Sequence, residues 1–240
     1  HMKHVLIISN IPAPYRSGQF ACLRSRFPKW RVSVLYTGKI EADRVWETDE
    51  PEENTYFLQS KVLSVKGGEV GGTATRFVHL PKGLFKTLNA LKPDVVIAGE
   101  YNFSAVQALF WAKAHGIPFV NMTDGTLRSE SYIGTVQKLT RRMIVSGADS
   151  FLASGTKAAE KLLHWGAERI AIAYLTVDTA PFLALTRQPE DGTILFVGRI
   201  SREKGLDLLV QALAKMKVPG VLRVAGNDVG GEQAAIQSLA

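Results

Sequence analysis

Two cations and two glycines near residue 200 have types and spacing suited to binding an anion. Residues 194–205 read ILFVGRISREKG, so Gly198 and Arg199 follow an apolar stretch and Lys204 and Gly205 precede a helical pattern. Backbone N–H groups at a helix N-terminus attract an anion. The Arg199 guanidinium can hold two phosphate oxygens, and the Lys204 ammonium adds a compact charge. The spacing favours a diphosphate site, although a strand, a loop and a helix with two solvated cations would have the same sequence.

A second group of polar residues follows three apolar stretches in the first half of the chain. The stretches are 4–9, 95–98 and 118–122. Ligands of α/β folds bind at the carboxyl ends of parallel strands, so we expect a cleft there. Glu100 and Asp124 are its candidate acid or base groups, although Asp124 could simply form an Asp-Gly turn. The other residues expected in the cleft are Asn10, Pro14, Tyr15, Arg16, Gly18, Tyr101, Asn102 and Gly125.

Several kinds of site have no signature in this sequence. The turn after the first apolar stretch lacks the G-x-G-x-x-G fingerprint of a dinucleotide site, and no Walker A loop occurs. The five histidines are scattered, and Cys22 is the only cysteine, which we expect to be buried and inert. We therefore expect neither a bound metal nor a disulfide framework.

Apolar stretches rich in β-branched residues alternate with helical patterns through residues 3–185. Continuous apolar strands separated by helices are typical of a parallel sheet covered on both faces. The sequence therefore predicts an α/β fold with a doubly wound parallel sheet, in which residues 50–56 and the glycine-rich 66–75 are loops. We expect strands at 4–9, 31–37, 61–65, 95–98, 118–122, 150–153 and 170–174, and helices at 20–27, 84–91, 103–115, 133–146 and 156–165.

The pattern breaks at residues 178–192, which contain two prolines and a Glu-Asp-Gly run, and then restarts. Strands are expected at 193–197 and 221–225, and helices at 206–213 and 232–239. Two strands and two helices form a sheet that is too small to fold alone. We therefore predict a first domain at 3–185, a linker at 186–192 and a partial second Rossmann-like unit at 193–240. Strand 221–225 would leave an edge open to self-association.

The chain has a net charge of +7, although residues 41–53 hold seven acidic side chains and one arginine. A basic surface concentrates anions, and charge alone does not choose among nucleic acid, sugar nucleotides and an anionic membrane. Lys138, Arg141 and Arg142 lie at i, i+3 and i+4 of one predicted helix. They form either a solvated basic face or a patch for anionic lipid headgroups, where each charge is worth about 1 kcal/mol.

The stretch 194–213, with Gly198, Arg199 and Lys204, closely resembles the start of the donor-binding domain in family 4 retaining glycosyltransferases of the GT-B fold. Residues 224–227, VAGN, resemble the next strand and glycine turn of that domain. The resemblance extends over nearly the whole chain. Further matches to the family are SNIPAPYR at 9–16, DGTLRSE at 124–130, the segments 148–155 and 174–182.

The resemblance implies transfer of a sugar, with retention, from a nucleotide-diphosphate sugar to a saccharide or lipid-linked acceptor, without a bound metal or other cofactor. Gly198, Arg199 and Lys204 would bind the donor diphosphate and stabilise it as it leaves. The acceptor would lie against the cleft described above. Many members of the family place a histidine near the position of Glu100, and this chain does not, so no catalytic role is assigned firmly to Glu100 or Asp124.

The donor domain of the family continues with a glutamate-bearing motif and a return helix, which have no counterpart before Ala240. We therefore expect a truncated chain that is inactive alone. The resemblance and the composition suggest a cytoplasmic protein, peripheral at a membrane through Lys138, Arg141 and Arg142, with no nucleic acid partner. Two alternatives stay open: a non-catalytic basic module for polyanions, and another GT-B enzyme such as a nucleotide-sugar epimerase.

Overall fold

The structure is a computed structural model of the 240-residue chain. It describes residues 2–39, 53–66, 75–186, 188, 190–217, 220–228 and 231–239. The chain divides into two units, His1–Ser64 with Phe77–Thr179, and Val65–Arg76 with Ala180–Ala240. The division after Thr179 precedes the predicted linker at 186–192, and the predicted domain limits stay predictions.

The elements of the first half alternate between strands and helices. The strands are β1 (Lys3–Ser9), β2 (Trp30–Tyr36), β3 (Thr55–Phe57), β4 (Ser60–Lys66), β5 (Thr75–Pro81), β6 (Val95–Gly99), β7 (Phe119–Thr123), β8 (Ser150–Ala153) and β9 (Ile170–Ile172). The helices are α1 (Pro14–Arg26), α2 (Leu84–Leu91), α3 (Phe103–His115), α4 (Thr135–Gly147) and α5 (Thr156–His164).

Seven of these strands form one sheet in the order β3-β2-β1-β6-β7-β8-β9. The pairings along it are all parallel, and β1 pairs with both β2 and β6. The predicted α/β fold with a doubly wound parallel sheet is confirmed. Strand order reverses between β1 and β6, and the carboxyl ends of strands at such a switch point form a crevice. A separate pair, β4 and β5, lies outside this sheet.

Alternate residues of β1 pack into two cores, one on each face of the sheet. Leu6 and Ile8 belong to the larger core, which also buries Leu88 of α2 and Ala108 of α3. Ile7 belongs to a smaller core that includes Phe20 of α1. Because side chains alternate along a strand, a strand buried on both faces is a continuous apolar run. This explains why the strands were recognisable from sequence.

The sequence pattern misplaces the start of α1 and misses two strands. Helix α1 begins at Pro14, six residues before the predicted start, because proline suits the first turn of a helix, where its missing N–H is not needed. Pro14, Tyr15, Arg16 and Gly18 therefore belong to a helix and not to a loop. Cys22 is exposed on it, and the expectation that it is buried is wrong.

The two missed strands are short or lie beside a glycine-rich stretch. Strand β3 has three residues and pairs at the sheet edge with β2. Strand β5 follows the predicted loop at 66–75. The remainder of the predicted loops, residues 50–52 and 67–74, lies outside the described residues.

The second unit contains α6 (Ala180–Leu183), β10 (Thr193–Val197), a 3-10 turn (Arg202–Lys204), α7 (Leu206–Leu213), β11 (Val221–Ala225) and α8 (Gln233–Gln237). Strands β10 and β11 form a two-stranded parallel sheet. Helix α7 buries Leu206 and Val210, two members of the predicted apolar stripe. None of the described helices in either unit has the length and apolar character needed to cross a membrane.

Candidate functional site

A cleft of about 180 Å³ lies in the first unit, at the carboxyl ends of β1, β6 and β7. Its position is the one expected for a ligand site of a doubly wound sheet. Five of the residues singled out from the sequence line it. These are Asn10, Tyr15, Arg16, Glu100 and Asp124. Thr123, which the sequence analysis did not single out, also lines the cleft.

The first wall of the cleft is the turn from β1 into α1. The backbone N–H groups of Arg16 and Ser17 both donate to the Ala13 carbonyl oxygen, at 2.8 and 3.2 Å, and so close the first helical turn. Tyr15 is 49% exposed, and Arg16 is half-buried beside it. An aromatic ring and a guanidinium therefore both face the cleft and can bind the ring face or hydroxyl groups of a sugar.

The two loops that meet at the switch point are tied by a pair of asparagines. The Asn102 Nδ2 donates to Oδ1 of Asn10 at 2.9 Å, and Asn102 Oδ1 accepts from the backbone N–H of Ala105 at 2.8 Å. The second bond caps the N-terminus of α3. Asn102 thus orients Asn10 without lining the cleft itself.

Glu100 is held in an unusual backbone conformation at the end of β6. Its φ is 60°, in the left-handed region that non-glycine residues seldom adopt. Its N–H donates to the Met122 carbonyl oxygen at 2.8 Å, and its own carbonyl oxygen accepts from Asn121 Nδ2 at 2.7 Å. Backbone strain of this kind clusters at functional sites, where the surroundings enforce it.

The carboxyl group of Glu100 is suited to exchanging a proton near neutral pH. Its two oxygens accept from the Asp124 N–H at 3.1 Å and from the Thr123 hydroxyl at 3.2 Å. Burial raises the pKa of Glu100 to about 7, and the negative charge of Asp124 acts in the same direction. Two adjacent carboxyl groups, one held near half-protonation at pH 7, can take up or deliver a proton in the cleft.

Behind Glu100 lies a buried cluster of charged groups, defined here as Glu130, Arg141 and Lys161. The Arg141 guanidinium donates to both oxygens of Glu130, at 2.8 and 3.0 Å. Lys161, which is fully buried, donates to Glu130 at 3.3 Å and to the Thr123 hydroxyl oxygen at 2.8 Å. Burial acts to raise the pKa of Glu130, but the bonds from Arg141 and the two positive charges hold it below its usual value.

Both cations of the charged cluster lie close to the ring of Tyr101. The Arg141 guanidinium and the Lys161 ammonium lie 4.7 and 4.6 Å from the centre of the Tyr101 ring. Tyr101 is buried and supports the cleft from behind. A Cβ atom at Gly125 would come within 2.9 Å of both Glu130 Oε1 and Lys161 Nζ, so glycine lets the loop after β7 pack on this cluster.

The expectation that Arg141 belongs to an exposed basic face with Lys138 and Arg142 is wrong. Arg141 is only 9% exposed because its guanidinium is paired with Glu130, whereas Lys138 and Arg142 are exposed. The sequence analysis also missed Lys161, and it included Glu130 only as the last residue of the matched stretch 124–130. A signal for Lys161 existed, because it lies three residues after Ala158 and next to Leu162, inside the apolar stripe of α5.

The remaining candidate residues do not line the cleft. Pro14 begins α1, and Gly18 lies within it with open space beside its Cα atom. In the second unit, Gly198 and half-buried Arg199 follow β10, and Lys204 is exposed just before α7. Gly226 follows β11 and lies against the turn after β10. A Cβ atom added at Gly226 would collide with the Gly198 carbonyl oxygen. The turns therefore have the predicted arrangement, and the anion-binding role stays a prediction.

Among the residues that the structure describes, no group of three or more His, Cys, Asp or Glu side chains could hold a metal ion.

Neither a protein-family model nor a curated protein sequence matches this chain. Solved structures match it over nearly its whole length. The structure of Anabaena Alr3699/HepE in complex with UDP-glucose has a TM-score of 0.63 and 14% sequence identity, over 98% of this chain and 64% of that chain. A putative UDP-N-acetylglucosamine 2-epimerase from Listeria monocytogenes has a TM-score of 0.59 and 12% identity, over 100% and 65% of the two chains.

A third similar structure is MurG from Acinetobacter baumannii, with a TM-score of 0.50 and 14% identity over 99% of this chain and 63% of that one. The chain therefore spans slightly less than two thirds of each of these proteins. Membership of the family 4 retaining glycosyltransferases stays a prediction. At these identities the similarity is one of fold: the chain has the Rossmann-like α/β architecture of the GT-B structures.

Proposed function

We propose that this protein is a GT-B glycosyltransferase that moves a sugar from a nucleotide-diphosphate sugar to an acceptor with retention of configuration. The observation that carries the proposal is the cleft at the switch point, with the Glu100 and Asp124 carboxyl groups side by side. A hydroxyl group of the acceptor must lose its proton when it attacks the sugar, and a carboxylate in contact with it can accept that proton.

The donor is assigned to the second unit. Gly198 and Arg199 follow β10, and Lys204 precedes α7, which is where a diphosphate would find a guanidinium, an ammonium and helix N–H groups. These cations would stabilise the diphosphate as it leaves the sugar. Binding of UDP-glucose by the similar HepE structure supports a nucleotide-sugar donor. Transfer without a bound metal is part of this proposal.

The acceptor is proposed to be a saccharide or a lipid-linked saccharide presented at an anionic membrane. Helix α4 exposes Val136 and Leu139, at 76% and 56%, beside the exposed cations Lys138 and Arg142. Next to them is a cavity of about 570 Å³ that Lys138, Arg142, His164 and Trp165 help to line. Cations around an apolar centre are suited to lipid headgroups above acyl chains. The membrane would be met from the cytoplasmic side.

A nucleotide-sugar epimerase is the second candidate. The similarity to the putative epimerase from Listeria monocytogenes favours it, and so does the pair of carboxyl groups, since epimerisation removes and returns a proton. Such an enzyme needs no acceptor and releases a UDP-sugar of altered configuration. A non-catalytic polyanion-binding module is distinguished by salt-dependent retention of DNA together with indifference to nucleotide sugars.

The experiment incubates the protein with radiolabelled UDP-sugars, with and without bacterial membranes as a source of acceptor. Transfer is supported by release of UDP together with label in a new product only when acceptor is present, and retention by a product whose anomeric proton coupling matches that of the donor. Conversion of one UDP-sugar into another without acceptor would instead establish the epimerase. Because the 240 residues alone are expected to be inactive, only the absence of any reaction from the full-length protein would remove the proposal.

A further inference from the structure

Lys161 is a charged side chain in a place where a charge is costly. It lies on the inner face of α5 and is 0% exposed. A buried ammonium is tolerated only when it is paired and hydrogen-bonded. It has three contacts within reach: Glu130 Oε1 at 3.3 Å, Thr123 Oγ1 at 2.8 Å and the Tyr101 ring at 4.6 Å. The shortest of these is with the neutral hydroxyl and not with the carboxylate.

The hydrogen bonds of Thr123 determine the direction of its hydroxyl proton. Its Oγ1 lies 2.8 Å from Lys161 Nζ, 3.3 Å from the Gly125 N–H and 3.2 Å from Glu100 Oε2. An ammonium and a backbone N–H can only donate. Thr123 therefore accepts from both, and its own hydroxyl donates to Glu100 Oε2. The result is a directed chain from Lys161 through Thr123 to Glu100.

We propose that Lys161 is a positioning residue, whose ammonium holds the Thr123 hydroxyl as a donor to Glu100 and so sets how readily Glu100 takes up a proton. The proposal rests on the proposed function only in giving that proton a use in catalysis. The chain of hydrogen bonds itself does not depend on which sugar is transferred.

The need to neutralise the Glu130 carboxylate does not by itself explain why a lysine is buried at position 161. Arg141 already makes two hydrogen bonds to the two oxygens of Glu130, a bidentate geometry that pairs the carboxylate fully. The charged cluster of one carboxylate and two cations therefore keeps a surplus positive charge, and Lys161 directs it toward Thr123. Lys161 therefore has a second role beside its contact with Glu130, which is its shorter contact with the Thr123 hydroxyl.

The polar and charged groups around Glu100 come from three elements: the loop after β7, helix α5 and helix α1. Asp124 follows β7 and opposes ionisation of Glu100, whereas Lys161 on α5 favours it. Arg16 and Tyr15 of α1 line the same cleft. Because Asp124 and Lys161 act in opposite directions, removing Lys161 should strengthen proton binding by Glu100.

The test is a carbon-13 NMR titration of glutamate side chains, with the Glu100 signal assigned by its loss in Glu100→Gln. The variants are Lys161→Met, Thr123→Val, the double variant and Thr123→Ser, which keeps a hydroxyl. We expect Lys161→Met and Thr123→Val each to raise the proton-binding constant of Glu100, by roughly tenfold for the lysine. Thr123→Ser should titrate as the wild type does.

The double-mutant cycle distinguishes two ways in which Lys161 could affect Glu100. One acts through the Thr123 hydroxyl, and the other is direct electrostatic attraction between the ammonium and the carboxylate. If Lys161 acts through Thr123, Lys161→Met has a smaller effect in the Thr123→Val background than alone. Equal effects in both backgrounds, or Thr123→Ser behaving like Thr123→Val, would overturn the proposal. If Lys161→Met lost its fold by circular dichroism, the comparison of Thr123→Ser with Thr123→Val would decide.

The titration needs no substrate, so its outcome is independent of the proposed function. In an active enzyme the pH profile of kcat/KM would move in the same direction as the Glu100 titration. If the full-length protein shows the expected titration but no transferase activity, the proposed role of Lys161 is supported and the proposed transferase function is contradicted.

Discussion

Asn102 joins two functions in one side chain, since it caps helix α3 through Ala105 and holds Asn10 on the neighbouring loop at 2.9 Å. The two asparagines come from the loops after β1 and β6, the strands between which the order of the sheet reverses. A helix start and one wall of the cleft are therefore fixed by the same amide group. This coupling can be separated by substitution, because the two bonds use different atoms of Asn102.

Replacing Asn102 by Asp should keep the cap and lose the link to Asn10, because a carboxylate accepts from Ala105 but cannot donate. Replacing it by Ala should lose both. We expect Asn102→Ala to reduce the free energy of unfolding by about 1 kcal/mol more than Asn102→Asp does. Urea unfolding of both variants measures this. Equal stability losses would show that the cap contributes nothing.

The raised pKa of Glu100 gives its contribution to stability a definite sign. The folded state binds a proton up to about pH 7, whereas an ordinary glutamate releases it near 4.5. Between these values the folded state holds more protons than the unfolded state, so stability from this group falls as pH rises. At pH 8 the ionised, buried carboxylate is a destabilising element.

Glu100→Gln should therefore be close to wild type in stability at pH 5 and more stable at pH 8, by about 2 kcal/mol or less, since Glu100 keeps some solvent contact. Denaturant titrations at both pH values measure the difference. A stability difference that does not change with pH would contradict the raised pKa of Glu100.

Glu130→Gln should be strongly destabilising, because it leaves Arg141 and Lys161 buried without their carboxylate. Breaking a buried ion pair from one side costs roughly 3–5 kcal/mol. The matched control is Glu160→Gln, which breaks the exposed Lys157–Glu160 pair, where the two side chains are 74% and 51% exposed. That change should cost less than about 0.5 kcal/mol.

The pH dependence of Glu130 runs opposite to that of Glu100. Its pKa is lowered, so its contribution is present above the ordinary value of 4.5 and is lost as pH falls through the lower folded value. The difference in stability between wild type and Glu130→Gln should shrink in acid below pH 4.5. A difference that is unchanged in that range would contradict the lowered pKa.

The proposed membrane surface is tested with vesicles. The double variant Lys138→Glu with Arg142→Glu should bind vesicles containing phosphatidylglycerol at least about tenfold more weakly than wild type, since each surface cation contributes about 1 kcal/mol. Lys86→Glu on α2, another exposed lysine, is the control and should bind nearly as wild type does. Sedimentation of the protein with vesicles measures binding. Equal binding by all three proteins would exclude the α4 surface.

The sequence predicted most strands and helices correctly because they are buried on both faces of the sheet or carry a clear apolar stripe. Helix α3 and strand β8 have the predicted limits. The predicted start of α1 is wrong because proline is common in turns and is also favoured in the first turn of a helix, where Pro14 lies. Strand β3 was missed because three residues carry too little pattern.

The candidate site was predictable only in part. Glu100 and Asp124 could be found because they directly follow apolar strands, and parallel strands end at one edge of a sheet. The charged cluster of Glu130, Arg141 and Lys161 could not be found from the sequence. Its members are up to 31 residues apart and meet only because α4 and α5 pack against the sheet. Helix periodicity alone does not predict which residues are buried. It places Lys138, Arg141 and Arg142 on one face of α4, but only Arg141 is buried.

The central claim is that this protein binds a nucleotide sugar through Arg199 and Lys204. Calorimetric titration of the protein with UDP-glucose tests it most directly, using Arg199→Ala, Lys204→Ala and Lys215→Ala, the last an exposed lysine at the end of α7. We predict that wild type and Lys215→Ala bind alike and that the other two variants each bind at least about tenfold more weakly, the loss expected for one charged hydrogen bond. Absence of binding to UDP-glucose and to other UDP-sugars, or equal affinity of all four proteins, would contradict the account.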